Sequence, residues 1–329
     1  MPQNLEKVID EFEKKSILVL GDVFLDKFSF GEVQRVNPEQ PAAHLVKVIK
    51  EEHILGGAAN VANNISSLSA NCCLYGIVGN DSYKEEIKKL CLEKKITLKD
   101  FSGEGPTIIK QRVIAHGQQI VRLDFGENNL KKIGADIEKK IINSLEKEMI
   151  NYDFIILSDY NKSFFNRSLS EKVISMANSK NINSLVDPKP CNWDFFQGCT
   201  VVCPNRYEAE KITGLKYSSE KETLEKMGEA IFEKIGAKYI VITCGENGAF
   251  IYDKYSQNSL FIEAQVREIA DVTGAGDTFA AVLSLGLSSK LDIYNSLRLA
   301  NYAAGIVVKK VGTATITASE LKNSVRNKI

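Results

Sequence analysis

Six short apolar runs recur along the chain: Ile17–Leu20, Cys72–Val78, Phe154–Leu157, Ser184–Val186, Thr200–Cys203 and Tyr239–Thr243. Continuous runs of this kind suit strands of a parallel sheet whose two faces are both covered by helices. The covering helices are legible between them. Leu5, Val8, Ile9 and Phe12 share one face of residues 4–15, which marks an amphipathic helix on the main body. Further helical segments run from about 135 to 149, through Val173, from Gly276, and from Asp292 to Lys309. The alternation predicts a doubly wound, mainly parallel α/β sheet flanked by helices. No internal repeat, low-complexity tract or linker divides it, so residues 1–329 read as a single domain.

Each run ends in polar residues: Gly21-Asp22 with Asp26 beyond, Gly79-Asn80-Asp81, Ser158 to Lys162, Asp187-Pro188-Lys189, Pro204 to Glu208, and Cys244 to Gly248. In open α/β sheets ligands bind at the carboxyl ends of strands, so these ends point to one crevice. Two stretches break the alternation. Residues 27–52 carry Pro38 and Pro41 and then alternate from His44 to Lys50, as one or two extra strands would. Thr107–Val113 and Gln119–Phe125 flank His116-Gly117-Gln118, a hairpin signal. We read insertions of about 27–52 and 107–125 as a β-strand lid. Lys110, Arg112, Arg122 and Asp124 are spaced along it, with some of these charges turned to the ligand.

Two glycine-rich stretches carry the chemistry. Asp271-Val272-Thr273-Gly274-Ala275-Gly276-Asp277-Thr278-Phe279 runs into an apolar segment with helical spacing. Backbone amides of 274–277 at a helix N-terminus make an anion cradle, with the Asp277 carboxylate in the first turn. The helix end is expected to favour its charged form, making it a weak base. Gly56-Gly57-Ala58-Ala59-Asn60 opens another helix and brings small residues and Asn60 near a ligand, or else simply permits close helix packing.

Forty-two basic residues balance 42 acidic ones, so no global field suggests nucleic acid or an anionic membrane surface as partner. No apolar run reaches the length of a membrane span. The seven cysteines form no repeated CxxC, and no signal peptide is evident. Free thiols in a cytoplasmic protein are expected, with Cys199 and Cys203 in the core. Neither GxxxxGK[ST] nor an early GxGxxG is present, which argues against a nicotinamide dehydrogenase. A late glycine loop beside Asp277, carboxylates near the first strand and Asn205-xx-Glu208 suit phosphoryl transfer from a nucleotide to an alcohol. That reaction depends on a charge cradle and alignment more than on covalent help. Mg²⁺ usually keeps several waters, so Asn205 and Glu208 are expected to hold it through water.

At these residues the chain resembles the ribokinase-like (PfkB) sugar kinases along its whole length. It does so through Gly57 with Asn60, Asn205-xx-Glu208 and Asp271 to Phe279. More narrowly, Gly21 to Asp26, Gly56 to Ala62, Gln118 to Phe125, Leu157 to Tyr160, Asp187 to Lys189 and Gly312-Thr313 resemble the D-glycero-β-D-manno-heptose 7-phosphate kinases. The resemblance implies a ribokinase-like fold and ATP-dependent phosphorylation of the anomeric hydroxyl to the 1,7-bisphosphate, in ADP-heptose synthesis for lipopolysaccharide. It implies Asp277 as base and Gly274, Ala275 and Gly276 as anion hole. Asp22, Asp26, Gly56, Gly57, Asn60 and Asp159 fall on the substrate side. Asn205, Glu208, Thr243, Gly245, Gly248 and Asn301 fall to nucleotide and Mg²⁺, and Asp271 with Thr273 match positions that hold a monovalent cation such as K⁺ in some relatives.

For the substrate's 7-phosphate the candidates are Lys110, Arg112, Arg122, Lys162, Lys189 and Arg206. The family's lid often pairs between subunits, which implies a homodimer. Residues 34–44 follow the heptose-kinase pattern only loosely. Many such kinases are fused to a C-terminal nucleotidyltransferase, whereas this chain stops soon after its last helices, so a separate nucleotidyltransferase is expected for the next step. Two other readings stand beside this one: another kinase of the family acting on fructose phosphate or ribose, and a sugar-binding regulator without turnover.

Overall fold

The computed structural model describes residues 5–34, 44–101, 105–127, 133–265 and 270–326. The first third of the chain supplies α1 (Leu5–Asp10), β1 (Ser16–Gly21), β2 (Val23–Gln34), β3 (Leu45–Gly57), α2 (Ala58–Ser67), β4 (Asn71–Gly76), α3 (Tyr83–Glu93), β5 (Ile96–Asp100), β6 (Ile108–Ala115) and β7 (Gln118–Phe125). There follow α4 (Ala135–Glu148), β8 (Phe154–Ser158), α5 (Arg167–Ser179), β9 (Asn183–Asp187), β10 (Val201–Val202), α6 (Arg206–Thr213) and α7 (Lys221–Ile235). The chain continues through β11 (Tyr239–Thr243), β12 (Gly248–Asp253), β13 (Asn258–Glu263), α8 (Ala275–Ser288), α9 (Ile293–Val307) and α10 (Ala318–Arg326).

The main sheet has the order β13-β12-β11-β10-β9-β8-β1-β4-β5. It is parallel from β11 across to β5, and antiparallel at β12 and β13. Strand β1 shows why. Its side chains alternate between two cores: Ile17 and Val19 pack with α2, α8 and α9 on one face, Leu18 and Leu20 with α4, α5 and α7 on the other. Both faces are apolar, so the strand reads as an unbroken run. Each such side chain, fully buried, contributes roughly 1.5–3 kcal/mol. Because β4 lies on one side of β1 and β8 on the other, the winding reverses at β1 and a crevice opens beyond its C-terminal end.

The lid is larger than the sequence suggests. It is one four-stranded sheet, β3-β2-β6-β7, with β2 parallel to β6. Strand β2 starts immediately after Asp22, and Gly56 and Gly57 close β3 rather than open the helix. Residues 35–43, within the loosely matching segment 34–44, lie outside the described residues. Register places Asp26 opposite Lys110, Lys110 opposite Asp124 and Arg112 opposite Arg122, so these groups share one face. Val121, Leu123 and Phe125 alternate onto the other face and are exposed.

Candidate active site

Helix α8 begins where the glycine loop predicts. Gly274 is its N-cap at φ +77°, a left-handed backbone that favours glycine, and a Cβ there would lie 3.0 Å from Asn60 Nδ2 and 3.2 Å from Thr313 Cγ2. The amides of the loop are not equivalent. Ala275 N donates to the Val272 carbonyl at 3.2 Å. Among the described residues nothing accepts from the Gly276 and Asp277 amides, as expected for the second and third positions of a helix.

Asp277 sits in a buried hydrogen-bond set. Asn60 Nδ2 donates to its Oδ2 at 2.6 Å and Tyr160 Oη to its Oδ1 at 2.7 Å. Thr278 Oγ1 donates to Asn64 Oδ1 at 2.7 Å, and Asn64 Nδ2 to the Asn60 carbonyl at 2.9 Å, so polar links lock α2 to α8. The small residues Ala58, Ala59 and Ala62 let the two helices approach. The close-packing reading of the diglycine stretch is what these contacts show. The helix end was expected to favour the charged carboxylate, but burial outweighs it and pushes Asp277 above its usual range. Hydrogen bonds from Asn60 and Tyr160 work in the opposite direction.

On the substrate side, Asp26 forms a buried ion pair with Arg112. Gly56 has no room for a side chain, since a Cβ would lie 2.4 Å from the Phe24 ring and 2.7 Å from Asp26 Oδ2. Gly57, at φ +62°, would place one 2.3 Å from the Asp22 carbonyl. Lys110 Nζ lies 3.7 Å from the Phe24 ring centroid and 5.3 Å from that of Tyr160. Among the described residues no carboxylate pairs with it, and burial lowers its pKa. Arg122 is held by both oxygens of Asp124, at 2.9 and 2.8 Å, and is half-exposed. Lys162 pairs with Glu127 at 2.7 Å.

Asp22 and Asp159, expected at the substrate, have a different task. Asp22 accepts from the amides of Tyr160, Lys162 and Phe164 at 2.8–3.0 Å, and burial raises it to about 6. Asp159 accepts from the amides of Asn161 and Lys189 and from the Asn192 side chain. The two carboxylates shape the loop that carries Tyr160.

The nucleotide-side residues fall into two groups. Lys189, Asn205, Glu208 and Thr243 line a cavity of about 160 Å³ together with Gly274, Gly276, Asp277 and Tyr160. Asn205 and Glu208 form a capping box on α6: Asn205 Oδ1 accepts from the Glu208 amide at 3.0 Å, and Glu208 Oε2 from the Asn205 amide at 2.9 Å. Glu208 Oε1 accepts from Lys189 Nζ at 2.5 Å, so Lys189 is committed here rather than at a distal phosphate. Arg206 likewise pairs with Glu246 at 2.8 Å.

Gly245, Gly248 and Asn301 stand outside this cavity. Gly248 is required by strand pairing, since a Cβ would lie 2.0 Å from the Ile262 carbonyl, and Asn301 Nδ2 donates to the Glu263 carbonyl at 2.8 Å. Asp271 accepts from the Thr273 and Gly312 amides at 2.9 and 3.0 Å, which ties the glycine loop to the segment after α9.

Two residues of the cavity were not singled out from sequence. Asp187, at the end of β9, faces Glu208 and Lys189, and burial, then the Glu208 charge, raise it well above the usual carboxylate range. Tyr160 is the other. Asp187 ends β9 and Tyr160 lies two residues beyond β8, and a place at a strand end was the available signal. Cys199 and Cys203 are buried, as expected.

A late glycine loop with an embedded carboxylate, a capping-box Asn-xx-Glu and a β lid over one crevice define a sugar kinase, and the chain belongs to the pfkB family of carbohydrate kinases, whose profile matches residues 23–320. The class expected from the glycine loop, an ATP-dependent phosphotransferase with an alcohol acceptor, is the class this family defines. The chain is 37% identical over 320 residues to the bifunctional protein HldE of Pasteurella multocida, covering 97% of this chain and 65% of that protein. It is 37% identical over 316 residues to HldE of Haemophilus influenzae strain Rd, covering 96% and 64%. It thus spans 64–65% of the length of these curated relatives.

Solved structures share the fold at lower identity. Phosphofructokinase-2 of Escherichia coli in complex with potassium superposes with a TM-score of 0.79 at 16% identity, covering 95% of this chain and 98% of that one. Arabidopsis thaliana ribokinase complexed with ribose and ATP gives 0.72 at 17% identity, covering 95% and 99%. No described helix is long and apolar enough to cross a membrane.

Proposed function

We propose that this kinase transfers the γ-phosphoryl group of ATP to the anomeric O1 of D-glycero-β-D-manno-heptose 7-phosphate, forming the 1,7-bisphosphate for ADP-heptose synthesis. The observation that carries the reading is the inner face of the lid. There Asp26 pairs with Arg112, Asp124 with Arg122 and the neighbouring Glu127 with Lys162, so that among the described residues the part-buried Lys110 makes no ion pair of its own. A substrate with its own phosphate supplies that charge. A cavity of about 400 Å³ on the other side of the β1 end, walled by Val23, Ile108, Lys162 and Phe164, gives room for the distal arm of a long sugar. The likeness to HldE proteins favours the same substrate.

The residues divide the work as follows. Among the described residues Asn60 Oδ1 is buried without a partner, and with Asp26 it accepts from sugar hydroxyls. Gly56 and Gly57 let the sugar approach the backbone. The attacking hydroxyl gives up its proton late in a loose transition state, so Asp277 serves mainly to orient it and then to accept the proton. The free amides of Gly276 and Asp277, with Gly274 shaping the turn, stabilise the charge on the moving phosphoryl group. Thr243, Gly245, Gly248 and Asn301 border the nucleotide.

Asp187 and Glu208 present hard oxygen donors beside Asn205 in the reacting cavity, a donor set that fits Mg²⁺ held largely through water. When bound, Mg²⁺ offsets the phosphate charge. Asp271 and Thr273, beside the glycine loop, are the residues that would hold K⁺. The exposed row Val121, Leu123 and Phe125 on the outer face of the lid pairs with a second copy in a homodimer. Free thiols suit a cytoplasmic setting.

The test is ADP release over a panel of sugars and sugar phosphates, with NMR of the product. Preferred turnover of heptose 7-phosphate, with phosphate appearing on C1, supports the proposal. Faster turnover of fructose 6-phosphate or ribose replaces it with another kinase of the family, and no turnover of any sugar favours a binding protein.

A further inference from the structure

Tyr160 has no role in the reaction as described so far, yet its hydroxyl is aimed at the reacting carboxylate. Everything around the side chain fixes that aim. Its amide donates to Asp22 Oδ2 at 2.8 Å, and its ring meets Phe24 edge-on at 5.2 Å. The Lys110 and Lys189 ammonium groups each lie 5.3 Å from the ring centroid. The loop that follows holds Asn161 at φ +56° and Ser163 at φ +78°, left-handed positions costly for non-glycine residues unless the surroundings determine them. The buried carboxylates of Asp22 and Asp159 supply that determination. A phenylalanine would satisfy the same packing, so only the hydroxyl on Asp277 distinguishes tyrosine here.

We infer that Tyr160 is a positioning residue for phosphoryl transfer: with Asn60 on Oδ2 and Tyr160 on Oδ1, the Asp277 carboxylate is clamped with its remaining lone pairs turned toward the sugar hydroxyl. The inference rests on Asp277 being the base.

The clamp has a second effect. Each carboxylate oxygen keeps one donor, which favours the charged, proton-accepting form in a site whose burial opposes it. The other charges facing Asp277 are Asp26 from the lid, and Asp187 and Lys189 from the end of β9. Asp26 and Asp187 disfavour the charged form and Lys189 favours it. Burial, then the negative charge of Asp277, hold the Tyr160 phenol well above its ordinary value, so it remains a donor through the working pH range. Removing the donor raises the pH at which Asp277 loses its proton. Since the reaction needs the charged form, the acid limb of the rate profile moves to higher pH.

The experiment compares wild type, Tyr160→Phe and a chain carrying 3-fluorotyrosine at 160, measuring kcat/KM from pH 5 to 9 for whichever sugar phosphate turns over fastest. Tyr160→Phe should move the acid limb up by about one pH unit, and so lower kcat/KM about tenfold at a pH on that limb, from the usual strength of a hydrogen bond to a charged group. The fluorinated ring, a stronger donor of nearly the same shape, should move the limb down. Opposite shifts establish the clamp even if the phenylalanine chain is less stable, because the fluorinated chain keeps every contact. Unmoved limbs in both chains overturn it. Asp277→Asn, run alongside, separates the two ideas: if that variant keeps wild-type turnover, the assignment of the base fails on its own account.

Discussion

Asn60 and Asp277 are 217 residues apart in the chain and joined by a 2.6 Å hydrogen bond between helices α2 and α8. A carboxylate offers no proton in its charged form, so the amide nitrogen must face it. The side-chain Oδ1 of Asn60 is thereby left buried and, among the described residues, unpartnered in the site. One contact fixes both the orientation of the Asp277 carboxylate, the proposed base, and the acceptor that the proposal offers to the sugar.

Replacing Asp277 with Asn keeps the volume of the carboxylate while removing its ability to take a proton and turning one of its two acceptor oxygens into a donor. Turnover should fall by roughly 10² to 10⁴ with nucleotide binding retained. A loss below about threefold, measured in a coupled ADP assay, would show that Asp277 is not the base.

Lys110 and Arg122 both face inward from the lid, but among the described residues Arg122 pairs with Asp124 and Lys110 with no carboxylate. Lys110→Met should raise KM for a phosphorylated sugar about tenfold, the worth of one charge-assisted hydrogen bond, and leave KM for ATP within about twofold. Arg122→Ala should act in the same direction and less strongly, because Asp124 already holds its guanidinium in solvent. Equal effects of Lys110→Met on both substrates would mean that Lys110 serves lid packing.

Gly57→Ala places a Cβ 2.3 Å from the Asp22 carbonyl in a left-handed conformation at φ +62°. A stability loss of about 2–4 kcal/mol is expected in urea unfolding, with the m-value unchanged. A neutral result would mean that the β3 to α2 corner relaxes freely.

Asp22 sets a pH dependence of stability. Its folded value of about 6 lies above the ordinary 3.8, because burial outweighs the three amide hydrogen bonds. A raised carboxylate favours the folded state most at low pH, below the unfolded value, and that contribution is lost as pH rises through about 6. Relative to Asp22→Asn, the wild-type chain should therefore lose up to about 3 kcal/mol between pH 4 and 7. Parallel curves for the two proteins would show that Asp22 does not titrate in this window.

The outer lid face offers a test of assembly. Val121→Asp with Leu123→Asp should leave the folded chain monomeric in sedimentation equilibrium where the wild type is a dimer. A wild type that sediments as a monomer removes the lid-paired homodimer.

Much of this architecture could be read from residue order. Unbroken apolar runs foretell a covered parallel sheet because both faces of each strand are buried, and Ile17 to Leu20 divides evenly between two cores. The glycine loop marks the start of α8 because Gly274 must take a left-handed backbone. The size of the lid was less legible. Strand β2 passes from the buried end at Leu25 to a charged inner face within a few residues, and its parallel partner β6 is separated from it by the whole first βαβ unit. Local pattern carries no trace of such a pairing. The roles of Asp22 and Asp159 were hidden for a related reason, since a carboxylate at a strand end looks the same whether it faces a ligand or a loop amide.

Sequence alone determined the fold class and the place of Asp277 in the first turn of α8, because strand burial, helix starts and glycine loops are properties of neighbouring residues. Tertiary structure alone decided the state of that carboxylate. Its burial, its two donors and the cation near it come from separate segments: Asn60 on α2, Tyr160 after β8 and Lys189 after β9. Desolvation and hydrogen bonding act through space over a few ångströms, and only the folded chain brings those distances about.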